Sequence, residues 1–77
     1  MTMNKKELNN EIRAQIIVAV TAAKKRPIET RALTERITKR IAGATAPRVW
    51  GNISTLKRRG AIRFPVAKRG GKSYITL

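Results

Sequence analysis

The sequence predicts an α+β fold in which three helices, with a short strand after the first, precede a C-terminal β-hairpin. Three stretches place apolar residues three or four positions apart, which is the spacing of a helix with one buried face. After Gly60 the apolar residues alternate with polar ones, which is the spacing of a half-buried strand. The 77 residues suit one domain near the lower size limit of a core without disulfides. We therefore treat residues 1–77 as one domain and expect residues 1–4 to be flexible.

The first helix is predicted from Lys5 to Lys25. Asn4 is a suitable N-cap, and Pro27 cannot continue a helix. The buried face is predicted from the apolar stripe, which comprises Leu8, Ile12, Ile16, Ala19 and Ala23. Ile17 and Val20 lie beside this stripe, where they either widen the core face or leave a small apolar patch for a partner.

The second helix is predicted from Arg31 to Ile41, after a short extended segment at 27–29. The segment is extended because a residue before proline avoids the helical region and Ile28 is β-branched. Thr30 has the chemistry of an N-cap, and Gly43 suits the left-handed residue that ends the helix. The predicted buried residues are Leu33, Ile37 and Ile41.

The third helix is predicted over residues 45–59. Thr45 can cap it, Pro47 is tolerated in its first turn, and Gly60 ends it. Its predicted buried residues are Val49, Ile53 and Leu56. Two helices joined by a short turn that contains glycine have the spacing of a helix-turn-helix.

The predicted hairpin pairs a strand at 62–66 with a strand at 73–77. Residues 67–72 form its turn, because two adjacent glycines can adopt positive φ and the apolar alternation stops there. Pro65 lacks an N–H donor, which indicates that the first strand lies at an edge. The turn carries three positive charges.

The distribution of charge points to a polyanionic partner. The net charge is +14, and residues 36–77 contain eleven Lys or Arg but no Asp or Glu. A surface that repels itself in this way is typical of proteins that bind nucleic acid. An ordinary solvated face mixes both signs, which argues against the alternative that these charges only maintain solubility.

The residue types that are absent exclude several classes of protein. There is no Cys and no His, which excludes disulfides and zinc fingers and removes the commonest metal ligand. We find no nucleophile and base pair, no glycine-rich phosphate loop and no metal-ligand set, and so we expect neither an enzyme nor a cofactor. The longest uncharged run, residues 14–23, is too short to span a bilayer. A cytoplasmic, nucleoid-associated protein without membrane contact is expected.

The order of these elements resembles the winged helix-turn-helix superfamily, over residues 8–77. The segment 45–62 looks like a recognition helix followed by an LxxxGxI pattern that leads into the wing. The small size looks like that of the stand-alone regulators of phages, plasmids and archaea. The resemblance implies double-stranded DNA binding and transcription regulation, with the third helix in the major groove and the wing in the minor groove or on the backbone.

The candidate DNA-binding residues lie on three predicted surfaces: the outward arc of the third helix, the wing, and the start of the second helix. They are Thr45, Arg48, Gly51, Asn52, Ser54, Thr55, Arg58 and Arg59; Lys68, Arg69, Gly70 and Lys72; and Thr30 and Arg31. Arg can form two bonds with guanine, Asn can form two with adenine, and Ser or Thr can offer a hydroxyl. Trp50 falls at the edge of the buried stripe and is expected to pack rather than to stack on bases.

The sequence leaves open three alternatives to a regulator that reads DNA sequence. The same fold could bind structured RNA or a ribosome, or it could coat DNA as an architectural protein without choice of sequence. It could instead dock an acidic protein partner, for which Ile17 and Val20 offer an apolar anchor. A homodimer is compatible with a domain that reads few base pairs, although no heptad marks an interface.

Overall fold

Three helices and a two-stranded antiparallel sheet make up the described part of the chain, which comprises residues 4–24, 26–66 and 72–77 of a computed structural model. This confirms the α+β class. The elements in order are α1 (Lys5–Ala22), β1 (Ile28–Glu29), α2 (Thr30–Arg40), α3 (Ala46–Arg58) and β2 (Tyr74–Ile75).

Helix α1 begins where the sequence predicted and ends earlier. The Asn4 side chain accepts a hydrogen bond from the Glu7 N–H at 2.8 Å, which confirms Asn4 as the N-cap. The helix stops at Ala22, and the predicted end at residue 25 lies outside the described residues. Val20 is fully buried, so it widens the core face rather than forming a patch for a partner. The buried stripe is Leu8, Ile12, Ile16 and Val20, with Ala19 and Ile17 partly buried beside it.

Helix α2 starts one residue before the predicted start. Thr30 is its first residue and Glu29 occupies the N-cap position, so the prediction that Thr30 caps the helix was wrong. The helix ends at Arg40, and Ile41 is extended but still buried in the core. Gly43 has a φ of +85° in the link to α3, which confirms that the chain needs a left-handed residue there.

Helix α3 has the predicted buried face. Val49, Ile53 and Leu56 are buried against the other two helices. Thr45 occupies the N-cap position, but its side chain makes no capping hydrogen bond. Gly60 follows the helix with a φ of +75°, as expected for a residue that ends a helix.

Strand β2 pairs with β1, which differs from the simple hairpin that the sequence predicted. Ile28 lies opposite Ile75, and Glu29 lies opposite Tyr74. The predicted strand at 62–66 is reduced to one bridge, in which Arg63 and Thr76 exchange backbone hydrogen bonds of 2.7 and 3.1 Å. The predicted turn at 67–72 falls outside the described residues except for its last residue.

The core lies where the three helices meet, and the segments after α3 close it. Ile62 and Ile75 are buried there together with the apolar faces of all three helices. This arrangement leaves one side of α3 exposed and packs its other side into the core. No helix among the described residues is long and apolar enough to cross a membrane.

Candidate nucleic-acid interface

The exposed side of α3 brings together most of the residues that the sequence assigned to it. Gly51, Ser54, Arg58 and Arg59 are exposed, and Thr55 is partly exposed. The Thr55 hydroxyl donates to the Gly51 carbonyl oxygen at 3.0 Å, so its hydrogen is used inside the helix while its oxygen can still accept. Apart from its chain neighbours and the backbone of its own helix, a methyl group added at Gly51 would meet no atom within 4 Å. The surface around Gly51 is therefore open to a close approach.

The positive charge of this side is not matched by carboxylates. The two ion pairs among residues 4–24, 26–66 and 72–77 join Arg31 to Glu35 at 3.7 Å and Lys72 to Glu29 at 3.6 Å. Both lie at the start of α2 and beside the sheet, and neither involves α3. The arginines of α3 therefore keep a net positive charge for an anionic partner.

Asn52 does not belong to the exposed surface, which corrects the prediction that it contacts bases. It is only 5% exposed, and its side chain points towards α1. Its amide nitrogen donates to Asn9 Oδ1 at 3.1 Å and to the Arg48 carbonyl oxygen at 2.9 Å. Its amide oxygen accepts from Arg13 Nη1 at 2.8 Å. These partners leave Asn52 no free face to present to adenine.

Arg48 is also held towards α1. It is half-buried, and its Nη1 donates to Asn9 Oδ1 at 3.3 Å. Arg13, half-buried on α1, donates through its other terminal nitrogen to Asn10 Oδ1. These side chains border an open polar cleft of about 460 Å³ between α1 and α3, with Thr45 at its edge.

Sequence reasoning missed Asn9 and Arg13. Both fall on the polar side of α1, where periodicity predicts only solvent exposure. Their partners on α3 are 39 to 43 residues away in the chain. Hydrogen bonds between polar side chains so far apart in the chain produce no periodic pattern in the sequence.

The start of α2 differs from the predicted phosphate contact. Thr30 is 1% exposed, and its N–H already donates to the Ser73 carbonyl oxygen at 2.9 Å. A phosphate cannot reach that donor, so the prediction for Thr30 was wrong. Arg31 is exposed, but Glu35 one turn later competes for its guanidinium. The contact at Arg31 stays a prediction.

Trp50 lies at the edge of the core and packs against the segment that follows α3. It is 40% exposed, and its ring meets Phe64 edge-on, with ring centres 5.6 Å apart and planes at 68°. Such a geometry is favourable for aromatic pairs. Trp50 therefore ties the exposed helix to the 62–66 segment.

Of the four residues predicted to bind DNA from the wing, only Lys72 is among the described residues. Lys68, Arg69 and Gly70 lie outside the described residues, whereas Lys72 is exposed and pairs with Glu29. Among the residues that the structure describes, no cluster of carboxylates could hold a metal ion.

Comparison with known proteins identifies no relative. No protein-family model matches the chain, and no curated protein or solved structure matches it significantly.

Proposed function

We propose that this chain is a double-stranded DNA-binding protein of the winged helix-turn-helix type that acts as a small transcriptional regulator. The observation that carries the proposal is the exposed side of α3, which presents Arg58, Ser54 and the open Gly51. No ion pair among the described residues joins a carboxylate to α3. The opposite side of α3 is fixed in the core by Val49 and Ile53. A rigid helix with a basic polar face has the form of a helix that enters the major groove.

The arrangement around α3 supports the winged type. Helix α2 is followed by a five-residue link, 41–45, and then by α3. After α3, the 62–66 segment lies along β2, with the Val66 N–H donating to the Tyr74 carbonyl oxygen at 3.0 Å. On this proposal the wing is residues 67–72, which lie between these two segments in the sequence. Its basic residues would contact the minor groove or the backbone.

The chemistry of sequence recognition would come from few side chains. Arg58 can form two hydrogen bonds with guanine, and the hydroxyls of Ser54 and Thr55 can bond to several bases. Gly51 would let the helix approach the base edges closely. One such helix reads a short site, and flanking phosphate contacts would supply much of the affinity.

Selection of bound duplexes from a random pool at near-physiological salt tests this proposal. A regulator recovers a defined motif, and a palindromic motif would indicate a dimer. If about five to eight phosphates are neutralised, log affinity should fall with log salt at a slope of about −4.5 to −7. Absence of duplex binding would refute the proposal.

A competition between duplex DNA and duplex RNA at equal salt separates the alternatives. The A-form major groove is too narrow for α3, so the proposal predicts that DNA competes better. Stronger competition by RNA would favour an RNA-binding function. Tight binding to every DNA duplex without a motif would favour an architectural role.

A further inference from the structure

We infer that α1 takes part in DNA binding, because Arg13 of α1 and Arg48 of α3 together form a site for one backbone phosphate. The inference rests on the proposed function for the identity of the anion, a DNA phosphodiester. It assigns a role to two α1 residues that carry no sequence signal, Asn9 and Arg13. It also changes the role of Arg48 from base recognition to backbone binding.

The two arginines are fixed by one shared amide network. Asn52 Oδ1 accepts from Arg13 at 2.8 Å, and Asn9 Oδ1 accepts from Arg48 at 3.3 Å. The two amides are joined, since Asn52 Nδ2 donates to Asn9 Oδ1 at 3.1 Å. Each guanidinium therefore bonds to an asparagine on the opposite helix, and the two asparagines bond to each other. This reduces the side-chain entropy that each arginine loses on binding.

The network positions the arginines without neutralising them. Every acceptor that holds a guanidinium here is an amide oxygen, so both positive charges remain. The two acids of α1 make their hydrogen bonds within that helix and at its cap: Glu7 accepts from Asn4, and Glu11 accepts from Gln15. No ion pair among the described residues joins a carboxylate to either arginine. The two half-buried guanidinium groups therefore repel each other and favour an anion between them.

The cleft has the donors and the space that a phosphate needs. A guanidinium has five N–H donors, and the hydrogen bonds to the three asparagines use two nitrogens of Arg13 and one of Arg48. The cleft of about 460 Å³ is open to solvent and is bordered by the exposed Pro47 and Gly51. A phosphate bound here would lie beside the exposed face of α3. The site would therefore fix the register of α3 in the groove and leave base recognition to Arg58 and its neighbours.

Three variants separate a binding role of the network from a structural one. Asn9→Asp keeps the shape and the acceptor oxygen but places a carboxylate against Arg48. Arg13→Gln removes one guanidinium. Arg36→Gln is the matched control, because Arg36 lies beside Val18 and Ala22, on the opposite side of α1 from Arg13.

Fluorescence anisotropy with a labelled duplex at several salt concentrations is the main measurement. We expect Arg13→Gln and Asn9→Asp to lower affinity about tenfold for all sequences alike. The dependence of log affinity on log salt should become less steep by about 0.9. Arg36→Gln should stay within about twofold of the wild type, because a distant charge is screened.

The melting temperature distinguishes binding from folding. Asn9→Asp creates a new ion pair with Arg48, so it should leave the melting temperature unchanged or raise it. A purely structural network predicts no loss of affinity in this variant. If Asn9→Asp and Arg13→Gln both bind like Arg36→Gln, the phosphate site is wrong while the proposed function stands.

A second readout covers the case in which the wild type does not bind duplex DNA. That result refutes the proposed function, and titration with inorganic pyrophosphate then tests the site by the NMR signals of the arginine Nε–H groups. Saturable shifts at Arg13 and Arg48 that Asn9→Asp abolishes would support an anion site. Absence of those shifts would overturn it.

Discussion

The Thr30 hydroxyl donates a hydrogen bond of 3.0 Å to the Ser73 carbonyl oxygen, which also accepts from the Thr30 N–H at 2.9 Å. The Ser73 hydroxyl in turn donates to the Thr30 hydroxyl oxygen at 3.2 Å. The first residue of α2 is thus tied to the residue before β2. This contact closes the fold between parts of the chain that are 43 residues apart.

Thr30→Val tests this contact, because valine keeps the shape of threonine and removes the hydroxyl. We expect a loss of about 1 kcal/mol in the free energy of unfolding, measured by urea denaturation. Thr38→Val is the control: it lies on the same helix, and its hydroxyl bonds only to the Glu35 carbonyl oxygen one turn earlier. Equal losses in both variants would contradict the role assigned to Thr30.

The contact between Trp50 and Phe64 should contribute to stability as a pair. A double-mutant cycle with Trp50→Leu and Phe64→Leu should give a coupling of about 1 kcal/mol, since edge-on aromatic pairs are worth that much beyond their buried area. Circular dichroism should follow the unfolding, because the only Trp is removed in two of the variants. Additive losses would show that the rings do not act together.

Gly51→Ala should raise stability and lower DNA affinity. Alanine is about 0.5–1 kcal/mol better than glycine inside a helix, and its methyl group would meet no protein atom within 4 Å. On the proposed function the same methyl group would obstruct the approach to base edges. Thermal melting and anisotropy with the selected duplex measure the two effects. An unchanged affinity would show that Gly51 does not face the DNA.

Gly60→Ala should have the opposite effect on stability. The space around Gly60 is equally open, but its φ of +75° is unfavourable for alanine. We expect a loss of about 1 kcal/mol in thermal or urea unfolding. Because both sites are open, comparison with Gly51→Ala separates the effect of backbone conformation from that of packing. A gain in stability in Gly60→Ala would contradict the assigned role of the positive φ.

Arg58→Ala should reduce discrimination between duplexes rather than affinity alone. If Arg58 contacts a guanine, its loss should cost about 1–3 kcal/mol on the preferred sequence and much less on a variant sequence. On the proposed function Lys68 would contact the DNA backbone, so Lys68→Ala should weaken binding to all sequences about equally. The two variants can be compared by anisotropy on a matched and a mismatched duplex. If Lys68→Ala reduced discrimination and Arg58→Ala weakened all duplexes equally, Lys68 would be the base contact and Arg58 the backbone contact.

The helices could be predicted from sequence because local rules determine them. The Asn4 cap, the positive φ of Gly43 and Gly60, and the stripe of α3 all follow from short-range chemistry. The stripe of α1 was less accurate, because its buried residues follow a strict spacing of four up to Val20. Residues spaced by four drift gradually around the helix, as they do where two helices pack at an angle. A stripe defined by a fixed range of angles therefore leaves out the last of them, Val20.

The candidate interface was harder to predict, because residues far away in the chain determine which of its side chains are exposed. Asn52 lies near the boundary of the outward arc, and only its hydrogen bonds to Asn9 and Arg13 turn it inward. Thr30 has the residue type of a cap, yet Ser73 draws it into the interior. Strand pairing shows the same limit, since β2 joins β1 as well as the 62–66 segment. Periodicity indicates which apolar residues are buried, but it does not indicate which polar side chains form hydrogen bonds with each other.

The two arginines held by asparagine amides, Arg13 and Arg48, should make the stability of the fold depend on salt. Because Arg13 and Arg48 keep their charges, the free protein bears an internal repulsion that counterions relieve. Added salt should therefore strengthen the fold, whereas on the proposed function the same salt would weaken the complex with DNA. Ionic strength then acts with opposite signs on folding and on association. A bound polyanion would replace the dissolved ions around these arginines and would itself stabilise the native state.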